Sequence, residues 1–156
     1  MTHERIKEHI TGLLSRLGYA ENDIAISYDD KTNTLWFSLP NSAARILLAR
    51  EGEALSALNH VVTKLTERIL EEGVRLRVVV DANNHERQKI ENLRTVAHMM
   101  AERARYFKSS IDIEPMLPYE RRIVHEFLSE MPDIVTESVG EGKARHIVIR
   151  YKDPAI

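Results

Sequence analysis

Pro118-Tyr119-Glu120-Arg121-Arg122-Ile123-Val124-His125-Glu126-Phe127 reads as a single helix opening on a proline. Proline suits a first helical turn, where its missing N–H would have no intrahelical acceptor. At about 100° of rotation per residue, Arg121 and His125 project only about 40° apart, while Ile123 and Phe127 point to roughly the opposite side. Such a helix buries one face and offers a guanidinium and an imidazole on the other.

The flanking sequence builds a small α+β unit around this helix. Upstream, the spacing predicts a long helix from Asn84 to Phe107, with Ile90, Leu93, Ala97, Met100, Ala104 and Phe107 as its apolar seam. Ser109 to Glu114 reads as a short strand, and Pro115 and Pro118 frame the turn into the Arg121/His125 helix. Pro132 follows that helix. Ile134 to Val139 and Arg145 to Arg150 read as strands of an antiparallel hairpin, because the glycines of Gly140-Glu141-Gly142-Lys143 tolerate positive φ. Tyr151 to Ile156 reads as a frayed tail.

The first half alternates helical and strand periods. Ile6, Ile10, Leu13, Leu14 and Leu17 mark an amphipathic helix from about His3, stopped by Gly18. Ile24, Ile26 and Tyr28 alternate, Asp29 to Asn33 supply a turn, and Leu35 and Phe37 alternate again with Trp36 on the other face. After Pro40, Asn41-Ser42 is suited to cap a short helix through Leu48, and a further helix runs from about Glu53 to Glu71, ended by Gly73. Val74, Leu76, Val78 and Val80 then form the apolar face of a strand. The expected order is α-β-β-α-α-β.

With 156 residues, a net charge of −2 and no cysteine, the chain has neither disulfides nor thiolate sites. It is also not a strongly basic, indiscriminate nucleic-acid binder, whose affinity would come from lysine and arginine on phosphates. Any such binding must use local patches. The N-terminus lacks a signal peptide's apolar centre, and no run reaches the roughly 18 apolar residues of a membrane span, so a cytoplasmic protein without membrane insertion is expected. Hydrolysis has poor support: paired metal carboxylates, H-E-x-x-H, a phosphate loop ending in Lys-Ser or Lys-Thr, and G-x-S-x-G are all missing. No enzyme, cofactor or metal site is expected.

From Glu114 to His125, and again from Thr136 to Gly142, the chain resembles the bacterial Jag (SpoIIIJ-associated) family of RNA-binding proteins. The resemblance implies a type II KH-like α-β-β-α-α-β domain over residues 1–82. A small α+β Arg-x-x-x-His (R-three-H) domain with a three-stranded sheet would follow over 84–151. Arg121 and His125 match the motif that names the second domain, and Tyr119, Glu120 and Arg122 match its surroundings. The extra N-terminal domain of longer family members is expected to be absent. The Gly-x-x-Gly loop of a KH domain falls on Ala49-Arg50-Glu51-Gly52, where alanine replaces the first glycine and Glu51 and Glu53 add negative charge. Like charges near a phosphate cost energy, so this half either binds RNA weakly through Arg50 and Gly52 or serves dimerisation and support.

The implied function is noncatalytic binding of single-stranded RNA, or of single-stranded DNA, mainly by the second half. Arg121 forks onto a phosphate or lies against a base, His125 hydrogen-bonds or stacks, and Arg122, Lys143 and Arg145 track neighbouring phosphates if the hairpin tip folds toward the helix. Tyr119 either stacks on a base or anchors the core. The alternative is a protein-interaction module that pairs with a second copy or with another KH protein and has residual nucleic-acid binding.

Overall fold

Ile6, Ile10 and Leu14 recur at four-residue steps, and in the computed structural model, which describes residues 2–153, they are the fully buried stripe of helix α1 (Thr2–Arg16). The remaining elements of the first half are β1 (Ala25–Asp29), β2 (Thr34–Leu39), α2 (Asn41–Leu47), α3 (Ala49–Ile69) and β3 (Arg77–Ala82). They form a sheet of order β1-β2-β3, with β1 antiparallel and β3 parallel to the central β2. α4 (His85–Phe107), β4 (Ser110–Asp112), α5 (Pro118–Leu128), β5 (Ile134–Val139) and β6 (His146–Tyr151) complete the mixed α/β architecture of five helices and two three-stranded sheets. The chain divides into two units, Met1–Arg87 and Gln88–Ile156.

In the first unit the core lies between one face of the sheet and the helices, with Leu35, Phe37, Leu39, Val78 and Val80 meeting Ile6, Ile10, Leu55 and Val62. Ile26 and Tyr28 were expected to share this face, but they are exposed. They lie opposite Phe37 and Leu35, on the edge strand, where a neighbour flanks only one side. The other edge is closed by a side chain. Asn59 of α3 accepts the Val80 N–H at 2.8 Å and donates to the Val80 carbonyl at 2.9 Å, standing in for a missing strand. Trp36, on the second face, is buried beneath the Arg87 guanidinium, 4.1 Å from the ring centroid.

Three local expectations fail here. Asn41 and Ser42 do not cap α2, because the helix begins one residue earlier and its N-cap position is Pro40, which has no side-chain acceptor. Regular helix in α3 begins after the left-handed residues Arg50, Glu51 and Gly52, at the expected Glu53, but it stops at Ile69, short of Glu71. Val74 is exposed in a turn, with its N–H on the Glu71 carbonyl, and the strand starts at Arg77. Beyond β3, buried Asp81 accepts the N–H groups of Glu86 and Arg87 at 2.9 and 3.2 Å, which caps the start of α4.

The second unit packs its sheet, of order β4-β6-β5, against α4 and α5. Ala97, Ala101 and Ala104 keep the α4 surface flat and are fully buried with Val124, Leu128, Ile147 and Ile149. Phe107 does not join them. It is the last helical residue, lies mostly in solvent and packs edge to face on Tyr106. On α5 the burial is centred on Val124 and Leu128 with Ile123, while Phe127 is half-buried at the core margin. Tyr151, expected in a frayed tail, is the last residue of β6. That residue pairs with Ile134, and Lys152 donates to the Asp133 carbonyl at 2.9 Å; residues 154–156 lie outside the described residues.

The start of α5 is held by Glu120, a buried carboxylate. One of its oxygens accepts the Leu117 N–H at 2.7 Å, and the other lies 3.0 Å from the Lys89 ammonium on α4. The far end of α4 is tied by Arg105, which donates to Asp133 at 2.8 Å and also meets Glu102. This hydrogen bond holds the Asp133 carboxyl below the usual carboxylate range.

Three outcomes follow from these contacts. Asn59→Ala strips two partners from Val80 and should destabilise the first unit by about 2 kcal/mol, read by urea unfolding of Trp36 fluorescence, the single tryptophan being in that unit. Glu120→Ala should cost the second unit about 2 kcal/mol, and Glu120→Gln less because it keeps an acceptor for Leu117. These are checked by thermal melts. The depressed Asp133 pKa contributes stability that is present above the unfolded value of about 3.9 and is lost as pH falls through the folded value. An acid titration of Asp133→Asn should therefore be flatter than wild type in that window.

Candidate nucleic-acid interface

The exposed face of α5 meets the open ends of β5 and β6 through a small set of directed hydrogen bonds. Arg121 Nη1 donates to the Met116 carbonyl at 2.7 Å, and the Met116 N–H donates to the Arg145 carbonyl at 3.3 Å. One residue of the turn before α5 thus links Arg121 to the base of the hairpin tip. His125, one turn along, has Nδ1 against the Thr136 hydroxyl of β5. Two residues farther along the same strand face, Ser138 accepts Arg145 Nε at 2.9 Å. Ile134, Thr136 and Ser138 share a face of β5, and their exposure rises along it from buried to half-buried to exposed. The strand runs out of the core toward solvent, and its two hydroxyls hold one basic side chain each.

The hairpin tip brings Arg145 back over the sheet by a tight turn at Gly140. Its φ is +90°, and a Cβ there would sit 3.1 Å from the Ala144 carbonyl oxygen, so only glycine fits. A single 3-10 turn, Gly142–Ala144, carries Lys143 into solvent. Arg145 meets the turn before α5 through its carbonyl and β5 through its side chain. Arg122 and Lys143 are exposed, but no bond ties them to this group.

The acids of the second unit are partly neutralised by cations away from this face. Glu137, whose side chain leaves the opposite face of β5, pairs with Arg150 at 2.9 Å. Lys89 takes up Glu120, which leaves that carboxylate turned from Arg121 toward the core. Burial opposes the Lys89 charge, but hydrogen bonds to Tyr119 and Glu120 outweigh it and leave the pKa raised above the ordinary lysine value. The Tyr119 ring lies 5.5 Å from the ammonium and is more than a third exposed. Tyr119 thus has one side committed to Lys89 and another in solvent.

Arg50 and Gly52 belong to the first unit, in the left-handed link within α3. Arg50 is exposed at φ 52°, followed by Glu51 at φ 58° and Gly52 at φ 81°. Gly52 is buried, and a Cβ on it would lie 3.2 Å from His85 Nε2. Glycine suits this left-handed position, and any Cβ here would press on the His85 ring.

Sequence reasoning missed Met116, Thr136, Ser138 and Lys89 as parts of this arrangement. Alternation alone put Thr136 and Ser138 on one strand face, a signal that was available. The Met116 carbonyl and the Lys89 pairing have no linear signature, because each depends on how separate segments meet. Among the described residues no group of three or more histidines and acids could hold a metal, and no helix is long and apolar enough to cross a membrane.

A family model, the R-three-H domain, matches residues 91–151, the segment that contains α5, the hairpin and every contact of this face except the Lys89 pairing. Two curated relatives bear the name RNA-binding protein KhpB. One, from Clostridium symbiosum, is 31% identical over 130 residues, covering 83% of this chain and 58% of the relative. The other, from Bacillus subtilis (strain 168), is 32% identical over 129 residues, covering 81% of this chain and 61% of the relative. The chain thus spans about three-fifths of the length of these curated relatives. It carries an R-three-H domain in its second half and is homologous to the RNA-binding proteins named KhpB.

Proposed function

We propose that this protein is a noncatalytic binder of single-stranded RNA, acting mainly through the domain of residues 84–151, in the manner of the Jag family. One observation carries the reading: Arg121 and Arg145 flank Met116 while His125 and Arg145 hang from two hydroxyls of one strand face. Each basic group is held by one nitrogen and keeps others for a ligand. Arg121 retains Nε and Nη2, Arg145 retains both terminal nitrogens, and His125 retains Nε2. Such a row suits the regularly spaced phosphates of an extended strand, with Tyr119 as a stacking surface and Arg122 and Lys143 as outlying phosphate contacts. The relatives' name supports RNA as the ligand. Single-stranded DNA shares the phosphates and bases, and discrimination would rest on the 2′-hydroxyl. The work is cytoplasmic and needs no cofactor.

Residues 1–82 fit a type II KH-like domain. The order α1-β1-β2-α2-α3-β3 and the left-handed turn at Arg50, Glu51 and Gly52 support this reading, with Ala49 in place of a first glycine. Glu51 and Glu53 oppose phosphate binding there, leaving Arg50 as the nearest cation. A second reading, a homodimer or a pairing with another KH protein through this half, draws on its exposed apolar side chains: Ile46 on α2, Val61 on α3, and Ile26 and Tyr28 on β1. Sedimentation over a concentration series separates a monomer from a self-associating protein.

The RNA reading is tested by a salt titration with matched RNA and DNA oligonucleotides. Arg121→Ala should weaken binding similarly across sequences and reduce the slope of log affinity against log salt by roughly 0.7, the share of one phosphate on a single strand. Arg50→Ala should change little. An Arg121→Ala protein with wild-type affinity and slope would remove the second domain from RNA binding.

A further inference from the structure

We infer that Thr136 is a positioning residue that donates its hydroxyl proton to His125 Nδ1 and so fixes the ring with its remaining proton on Nε2, pointing outward. The inference rests on the RNA-binding reading and says how the histidine of that site meets its ligand. Neutral imidazole carries one proton on one of two nitrogens, and the partner of the inner nitrogen decides which. Here the inner nitrogen is Nδ1, in contact with Thr136 Oγ1.

The contact can be shared in two ways. If Nδ1–H donates to the hydroxyl, the Thr136 proton goes to solvent at this exposed contact, and the weaker acceptor of the pair, a hydroxyl oxygen, receives the bond. If the hydroxyl donates to Nδ1, donor and lone pair are both used and nothing is left over. The second arrangement gives the hydroxyl proton to the stronger acceptor, the unprotonated ring nitrogen. Threonine suits the task, because its branched Cβ restricts χ1 and holds the oxygen in place. Thr136 is also backed by strand pairing with Ile149, a fully buried residue.

The consequence is chemical. With the proton on Nε2, His125 offers a donor to a phosphate oxygen, a base carbonyl or a 2′-hydroxyl without being charged. With the proton on Nδ1 it would turn a lone pair toward phosphate, which repels. Thr136 therefore lets a neutral imidazole keep an outward donor, which it would otherwise lose for part of the time. Ser138 does the parallel task for Arg145 by occupying Nε and leaving the two terminal nitrogens outward.

The test combines a nitrogen measurement on the free protein with binding. In 15N-labelled full-length protein at a pH of about 8, above the ordinary histidine value, His125 Nδ1 should show the shift of an unprotonated ring nitrogen and Nε2 that of a protonated one. Thr136→Val should move both shifts toward a tautomer average and lower affinity for a single-stranded RNA oligonucleotide by about fivefold, while Thr136→Ser keeps the shifts and stays within about twofold. A wild-type ring protonated at Nδ1 overturns the inference, and so does a folded Thr136→Val protein that binds as well as wild type. If Thr136→Val fails to fold, the wild-type shifts and the serine variant still decide. A wild type that binds no RNA overturns the functional reading instead, while the nitrogen shifts go on to decide the tautomer.

Discussion

The seat of α5 on the second sheet is the constraint on which the candidate interface depends. Val124 and Leu128 are buried in one cluster with Ile147, Ile149 and the alanines of α4, and this burial fixes both the height and the rotation of the helix. A buried side chain of this size contributes roughly 1.5–3 kcal/mol, far more than a hydrogen bond on an exposed face. The helix is therefore placed by its apolar side, and Arg121 and His125 go where that placement sends them. Their bonds to Met116 and Thr136 then select among rotamers and do not locate the helix.

Charge is handled by the same geometry. Glu120 follows Tyr119 and precedes Arg121, and on an isolated helix it would sit close enough to weaken any anion site. Here it is buried, accepts the Leu117 N–H and meets Lys89, so its charge is matched at the start of the helix. Glu137 leaves the other face of β5 and pairs with Arg150. Several carboxylates of the second unit are thus matched by its own cations, Glu120 by Lys89, Asp133 by Arg105 and Glu137 by Arg150.

Much of the element order was legible from periodicity, since apolar repeats of about four and of two distinguish helix from strand without tertiary information. The failures are of two kinds. Ile26, Tyr28 and Phe107 obey the periodicity of buried residues yet face solvent, because burial needs a neighbour on the far side and these positions lie on a sheet edge or at a helix end. Asn41 and Val74 were misread for backbone reasons. One residue of shift at Pro40 carried Asn41 into the helix, and the turn that binds the Val74 N–H to the Glu71 carbonyl delayed the strand to Arg77.

By itself the sequence determined which residues could act: a guanidinium and an imidazole one turn apart, a glycine-rich hairpin tip and no cysteine. Spacing along a helix is a local property, fixed by the rise and twist of the backbone. Only the tertiary structure decided what surrounds them. Met116, Thr136, Ser138 and Lys89 become neighbours of the motif because α4, α5 and the β5–β6 hairpin close on one core. A hydrogen bond between distant segments depends on that closure, which no local pattern encodes.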